Sequence, residues 1–330
     1  MRSLQISGAH QVNIVEVDVP QDMTAGRVRV RVSRVGLCGT DFALAQGTLG
    51  LNTLPVIPGH EVAGVVVESR DGNFSPGDHV VLDPLLNCGN CWACRQNRPQ
   101  WCDNVGVVGV VRDGGLQEEL VLPGSQWIPV PTHLAPDDMV LIEPTHVIDT
   151  VLEISPVAEA RSVLVIGTGT LGLMLIIILN YLYPNLTVWA YDTVPERLAR
   201  VQQLNAMPWT ETHNLAVDLV IDGVGMPTSL AMAGSAVRPG GDVVIYGVPK
   251  PGNVFTTLDE LFRKNVHIRF SRLYSHDFSK AVKWVEDGLI NSRAVVSERL
   301  NLQAGADFLR EEKWSAPSRW GKTIVILGDS

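Results

Sequence analysis

The segment 161–192 constrains the possible fold more than any other part of this chain. Its short apolar run at 163–166 is typical of a buried parallel strand, and the sequence GTGTLG at 167–172 follows at once. The long apolar segment at 171–182 predicts a buried helix, and 186–191 predicts a second strand. This order of strand, glycine-rich turn, helix and strand predicts a dinucleotide-binding unit.

Each glycine of the turn has a specific physical use. Gly167 allows the tight turn, and Gly169 lets a pyrophosphate approach the backbone because it has no Cβ. Gly172 lets the following helix lie close on the sheet. The first helical residues, Thr170 and Leu171, offer free N–H groups and a partial positive charge to the phosphates.

Asp192, at the end of the second strand, indicates which dinucleotide binds. It follows the turn by about 20 residues, the distance at which an acidic residue reaches the adenine ribose. Its carboxylate can accept hydrogen bonds from both ribose hydroxyls and would repel a 2′-phosphate, so NAD is favoured over NADP. The uncharged run at 163–183 could also span a membrane, and the glycine spacing could arise by chance within a core helix. The three glycines and the strand-like start favour the dinucleotide site over both alternatives.

Strands alternate with helices after Asp192, as in a doubly wound parallel sheet. Ligands bind at the carboxyl ends of the strands in such sheets. We therefore expect residues that follow two later strands, and an arginine in the helix after Asp192, to contact the cofactor. These further predicted cofactor contacts are Arg197, Gly223, Val224, Tyr246, Gly247 and Val248.

The composition limits the class of protein. A length of 330 residues favours two domains over one, and 45% hydrophobic with 18% charged residues is typical of a globular protein. The net charge is −9, and the acidic residues are scattered along the chain. The sequence therefore gives no indication of binding to nucleic acid or to an anionic membrane. We therefore expect a small-molecule substrate. The first ten residues show no signal-peptide pattern, so we expect a cytoplasmic location.

Four of the five cysteines lie within one short segment. An odd cysteine count without an export signal argues against a disulfide framework, and four free thiols clustered by chance are a weak alternative. Four thiolates saturate a tetrahedral zinc ion and leave no open position, so we predict a structural site. Its ligands are Cys88, Cys91, Cys94 and Cys102.

A second metal-site signal comes earlier in the chain. Residues 27–32 alternate arginine with valine, which predicts a strand with one buried face. Cys38 then stands in GLCGTD, and His60 stands in PGHE. Thiolate and imidazole are good zinc ligands, although either residue alone could be an ordinary core residue.

Motifs along essentially the whole length carry a resemblance to a known family. They are GLCGTD (36–41), PGHEVAG (58–64), PGDHVV (76–81), the four-cysteine segment, DGGLQEELVLP (113–123), IEP (142–144), GTGTLG (167–172), VRPGGDVVIYG (237–247) and GKTIVIL (321–327). On these motifs the chain resembles the zinc-containing medium-chain dehydrogenase/reductase family of alcohol, polyol, sugar and threonine dehydrogenases.

The resemblance implies an α/β fold of two domains. A GroES-like, mostly-β catalytic domain would comprise residues 1–147 and 275–330, and a Rossmann domain that binds NAD would comprise residues 148–274. Two zinc ions per chain are implied, one held by the four-cysteine segment and one by Cys38, His60 and Glu143. Glu61 resembles the family's glutamate that enters coordination only transiently. Family members are usually homodimers or homotetramers.

The implied activity is hydride transfer between NAD and a secondary alcohol, such as a polyol, a sugar or an amino alcohol. Zinc would polarise the substrate oxygen, and Thr40 would pass the proton outward. Two alternatives remain open: a reductase of a carbonyl or iminium, and a non-catalytic relative that binds a dinucleotide.

One departure from the family concerns proton transfer. Many members carry a histidine shortly after CGTD, where this chain continues Asp41-Phe42-Ala43-Leu44. A relay residue contributes on the order of 10²–10⁴-fold in rate, so its loss leaves metal-assisted chemistry possible. His146 either faces the same pocket or is a helix-start histidine without a role.

Overall fold

The computed structural model describes residues 1–49, 54–210, 215–249, 258–311 and 319–328. The chain divides into two compact units, each built from more than one stretch of sequence. The first unit comprises Met1–His146, Tyr274–Ala316 and Lys322–Ser330, and the second comprises Val147–Leu273 and Pro317–Gly321.

The first unit is built around a seven-stranded, mostly antiparallel sheet. Its strand order is β16-β17-β3-β4-β5-β9, with β8 also paired to β3. The strands of this unit are β1 (Arg2–Gly8), β2 (Gln11–Glu16), β3 (Arg27–Leu37), β4 (Glu61–Ser69), β5 (His79–Leu82), β6 (Leu85–Leu86), β7 (Gly106–Val107), β8 (Glu119–Pro123), β9 (Trp127–Pro129), β16 (Val296–Asn301) and β17 (Lys322–Ile326). Its helices are α1 (Gly39–Ala45), α2 (Trp92–Arg95), α3 (Pro136–Met139), α9 (Ser279–Glu286), α10 (Ser292–Val295) and α11 (Leu302–Arg310). Helix α4 (Ile142–Ile154) begins in this unit and continues into the second.

Strand β3 is the element that positions the candidate metal site. Val28, Val30 and Val32 are buried at 0–1% exposure, as the alternation with arginine predicts for a strand with one face on the core. At the far end of the strand, Gly36 pairs with Glu61 in the antiparallel ladder to β4. The end of β3 and the start of β4 therefore lie side by side, which brings the segments after β3 and before β4 together.

The second unit is a six-stranded parallel sheet in the order β12-β11-β10-β13-β14-β15. Its strands are β10 (Ser162–Ile166), β11 (Thr187–Tyr191), β12 (Met207–Pro208), β13 (Val217–Asp222), β14 (Val237–Ile245) and β15 (His267–Phe270), and its helices are α5 (Thr170–Leu182), α6 (Pro195–Gln202), α7 (Pro227–Ala236) and α8 (Leu258–Arg263). This arrangement, together with the sheet of the first unit, confirms the predicted fold class.

The uncharged run at 163–183 is divided between two elements, strand β10 and the thirteen-residue helix α5. Leu173, Met174 and Leu175 in α5 are fully buried. None of the helices in the described part of the chain is long and apolar enough to cross a membrane. The apolar residues of this run therefore pack within the parallel-sheet unit.

Candidate metal centres and dinucleotide site

Three metal-ligating side chains meet where β3 ends and β4 begins. The donor atoms of Cys38, His60 and Glu61 all lie within 4.8 Å of one another. Cys38 caps the N-terminus of α1, and Glu61 is the first residue of β4. His60 and Glu61 are only 6% and 1% exposed. The structure thus brings together two of the three predicted catalytic-zinc ligands with the residue predicted to ligate transiently.

The third predicted ligand, Glu143, lies in the first turn of α4 and is 6% exposed. Among the described residues, it is not a member of the group formed by Cys38, His60 and Glu61. Its Oε1 accepts a hydrogen bond of 2.5 Å from the hydroxyl of Tyr274. Burial, with the charge of Glu61 adding to it, raises the pKa of Glu143 to about 7 against the opposing charge of His60. Glu143 is therefore close enough to interact electrostatically with the group.

Asp41 connects the two segments that carry Cys38 and His60. It is fully buried, and its carboxylate accepts hydrogen bonds from the N–H groups of Cys38 at 2.8 Å and Gly59 at 3.1 Å. Its Oδ1 lies 3.9 Å from His60 Nδ1, and burial raises the pKa of the Asp41 carboxyl. Sequence reasoning assigned Asp41 no role. The available signal was its position three residues after Cys38, the residue that caps the helix, where an acidic side chain can reach back to the backbone of the capping residue.

Lys322 neutralises Glu61. Its Nζ donates to Glu61 Oε1 across 2.5 Å, and the lysine and glutamate side chains are 3% and 2% exposed. Gly36 makes room for this carboxylate, because a Cβ at that position would lie 2.0 Å from Glu61 Oε2. The role of Lys322 was also missed from the sequence, since nothing in the closing GKTIVIL motif indicates which carboxylate its lysine meets.

The electrostatics of this group favour a cation. Burial alone would lower the pKa of His60, but the charges of Cys38, Asp41 and Glu143 raise it well above its ordinary value. His60 Nδ1 and Glu61 Oε2 are buried and find no hydrogen-bond partner within the described parts of the chain. Sulfur, imidazole and carboxylate donors gathered in a buried, negatively charged place fit a zinc ion. A divalent metal would supply the positive charge that these surroundings favour.

The four-cysteine segment also fits a zinc ion. The Sγ atoms of Cys91 and Cys94 are 3.5 Å apart, those of Cys102 and Cys88 are 3.5 Å apart, and those of Cys88 and Cys94 are 4.0 Å apart. Four sulfurs placed about 2.3 Å from a tetrahedral ion would be separated by about 3.8 Å. The backbone N–H groups of Cys88 and Asn104 donate to Cys102 Sγ. The spacing of the four sulfurs therefore suits a single tetrahedral ion with four thiolate ligands, which is the arrangement of a structural zinc site.

The glycine-rich turn has the geometry of a phosphate cradle. Gly167 has a φ of +87°, and a Cβ on Gly172 would lie 2.0 Å from the Gly167 carbonyl oxygen, so the helix approaches as closely as predicted. Gly169 caps α5, and the only described atom that a Cβ there would meet within 4 Å is Arg197 Nη1, at 3.9 Å. The space beside the helix N-terminus at Thr170 is therefore open for a pyrophosphate.

Asp192 is fixed to this turn. Its Oδ2 accepts hydrogen bonds from the N–H group of Thr168 at 2.7 Å and from the Thr168 hydroxyl at 3.2 Å. Its Oδ1 accepts from the N–H group of Val194 at 2.9 Å, and Arg197 Nη1 lies 3.7 Å from Oδ2. The carboxylate is thus oriented beside the cradle. The two hydrogen bonds from Thr168 could not be predicted from the sequence, because Thr168 stands at a position of the G-x-G-x-x-G motif that has no fixed residue type.

The remaining predicted cofactor contacts follow the carboxyl ends of β13 and β14. Val224 and Val248 are 40% and 73% exposed. The Tyr246 ring lies against Gly223, where a Cβ would come within 2.2 Å of the phenol oxygen, and Gly247 lies against Gly225. Carboxyl ends of parallel strands share one edge of a sheet, so these residues lie on the same edge as the cradle.

Thr40 and His146 are the two other residues that the sequence singles out. The Thr40 hydroxyl lies 3.9 Å from Cys38 Sγ, beside the metal-ligating group. His146 is 2% exposed, and its Nε2 lies 2.9 Å from the Ser275 carbonyl oxygen. Its ring also packs against Tyr274 and Phe278, with centroid separations of 4.9 and 4.3 Å. These contacts give His146 a packing role.

Proteins similar to this chain match it over nearly its whole length. The family model described as the alcohol dehydrogenase GroES-like domain matches residues 24–132, and the zinc-binding dehydrogenase model matches residues 170–287. The starvation-sensing protein RspB of Escherichia coli K12 is 29% identical, covering 93% of this chain and 94% of RspB. D-altritol 5-dehydrogenase of Agrobacterium fabrum is 30% identical, covering 94% and 96%. A crystal structure of the rspB alcohol dehydrogenase of E. coli CFT073 complexed with NADH has a TM-score of 0.87 at 27% identity, covering 99% of each chain.

Proposed function

Because this chain belongs to the zinc-type medium-chain dehydrogenase family, we propose that it transfers a hydride between a secondary alcohol and NAD. The substrate class of this proposal is a polyol, a sugar or an amino alcohol. The observation that carries it is the group formed by the half-buried Cys38 with the buried His60 and Glu61, on which the buried Glu143 acts electrostatically through His60. Such a donor set is suited to binding a metal that polarises an alcohol oxygen.

Each residue has a defined part in this proposal. Cys38, His60 and Glu143 would hold the zinc ion, which would act as a Lewis acid and lower the pKa of a bound alcohol. Glu61 is the weaker candidate for permanent ligation, because the ammonium of Lys322 already neutralises its carboxylate. The Thr40 hydroxyl beside Cys38 receives the substrate proton and passes it outward.

NAD is the proposed dinucleotide because Asp192 presents a fixed carboxylate beside the phosphate cradle. A negative charge at this position accepts ribose hydroxyl hydrogens and repels a 2′-phosphate. In this proposal, residues 148–274 form the domain that binds NAD. Residues 1–147 and 275–330 form the domain that carries both zinc sites.

The test is a panel of polyols, sugars and amino alcohols offered with NAD or NADP, with NADH or NADPH formation followed by absorbance. We expect turnover with NAD, and two zinc ions per chain by metal analysis. Cys38→Ala should abolish turnover while NAD binding, measured by calorimetry, is retained.

Faster reduction of carbonyls or imines than oxidation of any alcohol would favour a reductase. Absence of turnover together with a single zinc ion would indicate a non-catalytic dinucleotide-binding relative.

Self-association into a homodimer or homotetramer is part of the same proposal. Strand β15 ends the described order of the parallel sheet, so one side of it offers unpaired backbone groups. The side chains of Phe262 in the preceding helix and Phe270 on β15 are 85% and 69% exposed. Replacing both with aspartate should shift sedimentation toward the monomer, and a wild-type protein that sediments as a monomer would contradict this part.

A further inference from the structure

Two buried carboxylates are held by different kinds of donor: Glu61, which lies in one group with Cys38 and His60, and Glu143, which interacts electrostatically with His60. Glu61 Oε1 accepts from the ammonium of Lys322 at 2.5 Å, and Glu143 Oε1 accepts from the phenol of Tyr274 at 2.5 Å. We propose that Tyr274 is a positioning residue that orients the Glu143 carboxylate for the catalytic metal. This inference rests on the proposed function, in which Glu143 is a zinc ligand.

Tyr274 is held in one orientation by its neighbours. Its side chain is buried at 3% exposure. Its ring packs against His146 at a centroid distance of 4.9 Å and edge-on against Phe278 at 5.6 Å. The bond between His146 Nε2 and the Ser275 carbonyl oxygen, at 2.9 Å, fixes the adjoining backbone. A phenol confined in this way presents its O–H group to Glu143 at a fixed place.

The difference between the two donors determines what each carboxylate can do. A lysine ammonium compensates the charge of Glu61, which weakens its attraction for a metal ion. A phenol is neutral and donates one hydrogen bond, so it anchors one oxygen of Glu143 without bringing a compensating positive charge. Hydrogen bonds of this kind orient ligating carboxylates, and their loss costs about 10- to 100-fold in metal affinity. Tyr274 thereby favours Glu143 over Glu61 as the resident ligand.

A packing role alone predicts something different. If Tyr274 only filled space between His146 and Phe278, the phenylalanine ring of Tyr274→Phe would fill nearly the same space. Metal affinity would then be unchanged. If the hydroxyl orients Glu143, Tyr274→Phe should weaken zinc binding at this site without altering the four-cysteine site.

The experiment measures zinc affinity by chelator competition on the full-length protein, and the visible spectrum after Co²⁺ replaces zinc at the site beside Cys38. For Tyr274→Phe we expect an affinity lower by about 10- to 100-fold and an altered Co²⁺ spectrum. The second zinc ion and the thermal unfolding of the chelator-treated protein should be retained. Tyr181→Phe is the matched control, because Tyr181 is 64% exposed and its hydroxyl can be removed without disturbing a buried contact.

Glu143→Gln separates this inference from the proposed function. If Glu143→Gln weakens zinc binding and Tyr274→Phe matches the wild type in affinity and Co²⁺ spectrum, the role of Tyr274 is overturned and the proposed ligand set stands. If both variants bind zinc like the wild type, the assignment of Glu143 as a ligand fails, and the inference fails with it. If both weaken binding and the double variant is no weaker than Glu143→Gln, the hydroxyl acts through Glu143.

Discussion

Lys322 Nζ lies 2.5 Å from Glu61 Oε1, and both side chains are almost completely buried. The two residues are 261 positions apart in the sequence, on strand β17 and at the start of strand β4. Lys322 also donates to the Leu37 carbonyl oxygen at 3.3 Å, next to Cys38. This pair therefore supports the metal-ligating group electrostatically and through the backbone that carries it.

We expect Lys322→Met to destabilise the metal-free protein by about 3–5 kcal/mol, because it leaves Glu61 buried with an uncompensated charge. Urea denaturation of chelator-treated protein measures the free energy of unfolding. The double variant Lys322→Met/Glu61→Gln should recover most of this loss, since no charge is then left unpaired. Lys283→Met is the control: its pair with Asp287 is 69% and 51% exposed, and exposed pairs contribute about 0–1 kcal/mol. Equal effects of the two lysine substitutions would contradict this account.

Asp41→Asn should weaken zinc binding beside Cys38 by about 10- to 100-fold. An asparagine side chain has a single acceptor oxygen, so it cannot accept hydrogen bonds at both of its terminal atoms as Asp41 does from Cys38 and Gly59. Chelator competition measures the affinity, and the four-cysteine site should keep its zinc.

Asp78→Asn is a suitable control for this change, because its carboxylate accepts an exposed hydrogen bond from the Ser75 N–H group and lies outside the metal-ligating group. It should leave zinc binding unaltered. Wild-type zinc affinity in the Asp41 variant would show that the backbone positions Cys38 and His60 without the buried carboxylate.

The parallel sheet and the grouping of the four cysteines could be predicted from the sequence because their signals are local. The turn at 167–172 needs glycine at fixed positions, and four cysteines within one short segment can reach a common point without help from distant parts of the chain. Cys38 and His60 were also identifiable, since each stands in a short motif. The pairing of β3 with β4 then explains why these two motifs meet.

The contacts that support the metal group could not be predicted, because they join residues far apart in the sequence. Lys322 and Glu61 are separated by 261 positions, and Tyr274 and Glu143 by 131. No periodicity or spacing specifies such contacts, which depend on how whole elements pack. For the same reason, the sequence could not show that Glu61, rather than Glu143, lies in one group with Cys38 and His60.

We expect Asp192→Ser to lower kcat/KM with NAD and to raise it with NADP, because the substitution removes the charge that repels a 2′-phosphate. Steady-state kinetics with both dinucleotides measures the change in preference. Thr168→Val isolates the orientation of the carboxylate, since it removes the hydroxyl bond of 3.2 Å and keeps the N–H bond of 2.7 Å. It should weaken NAD binding modestly without admitting NADP. An unchanged preference in Asp192→Ser would contradict the proposed role of Asp192.

His276 should make stability depend on pH. Its Nδ1 bonds the buried carboxylate of Asp83, and this hydrogen bond, with the charge of Asp83 adding and burial opposing, raises the pKa of His276. A raised pKa in the folded state means that the added stability is fully present below the unfolded value of about 6.5. It is lost as the pH rises through the folded value.

The measurement is the urea midpoint of the wild type and of His276→Gln at about pH 6 and about pH 9, on either side of the unfolded histidine pKa. We expect His276→Gln to destabilise the protein more at the lower pH, because only there does the wild type carry the positive charge beside Asp83. His133→Gln, at an exposed histidine, controls for the general effect of removing an imidazole. An equal destabilisation by His276→Gln at both pH values would contradict this prediction. It would mean that the charged and the neutral imidazole contribute equally to the free energy of unfolding through the bond to Asp83.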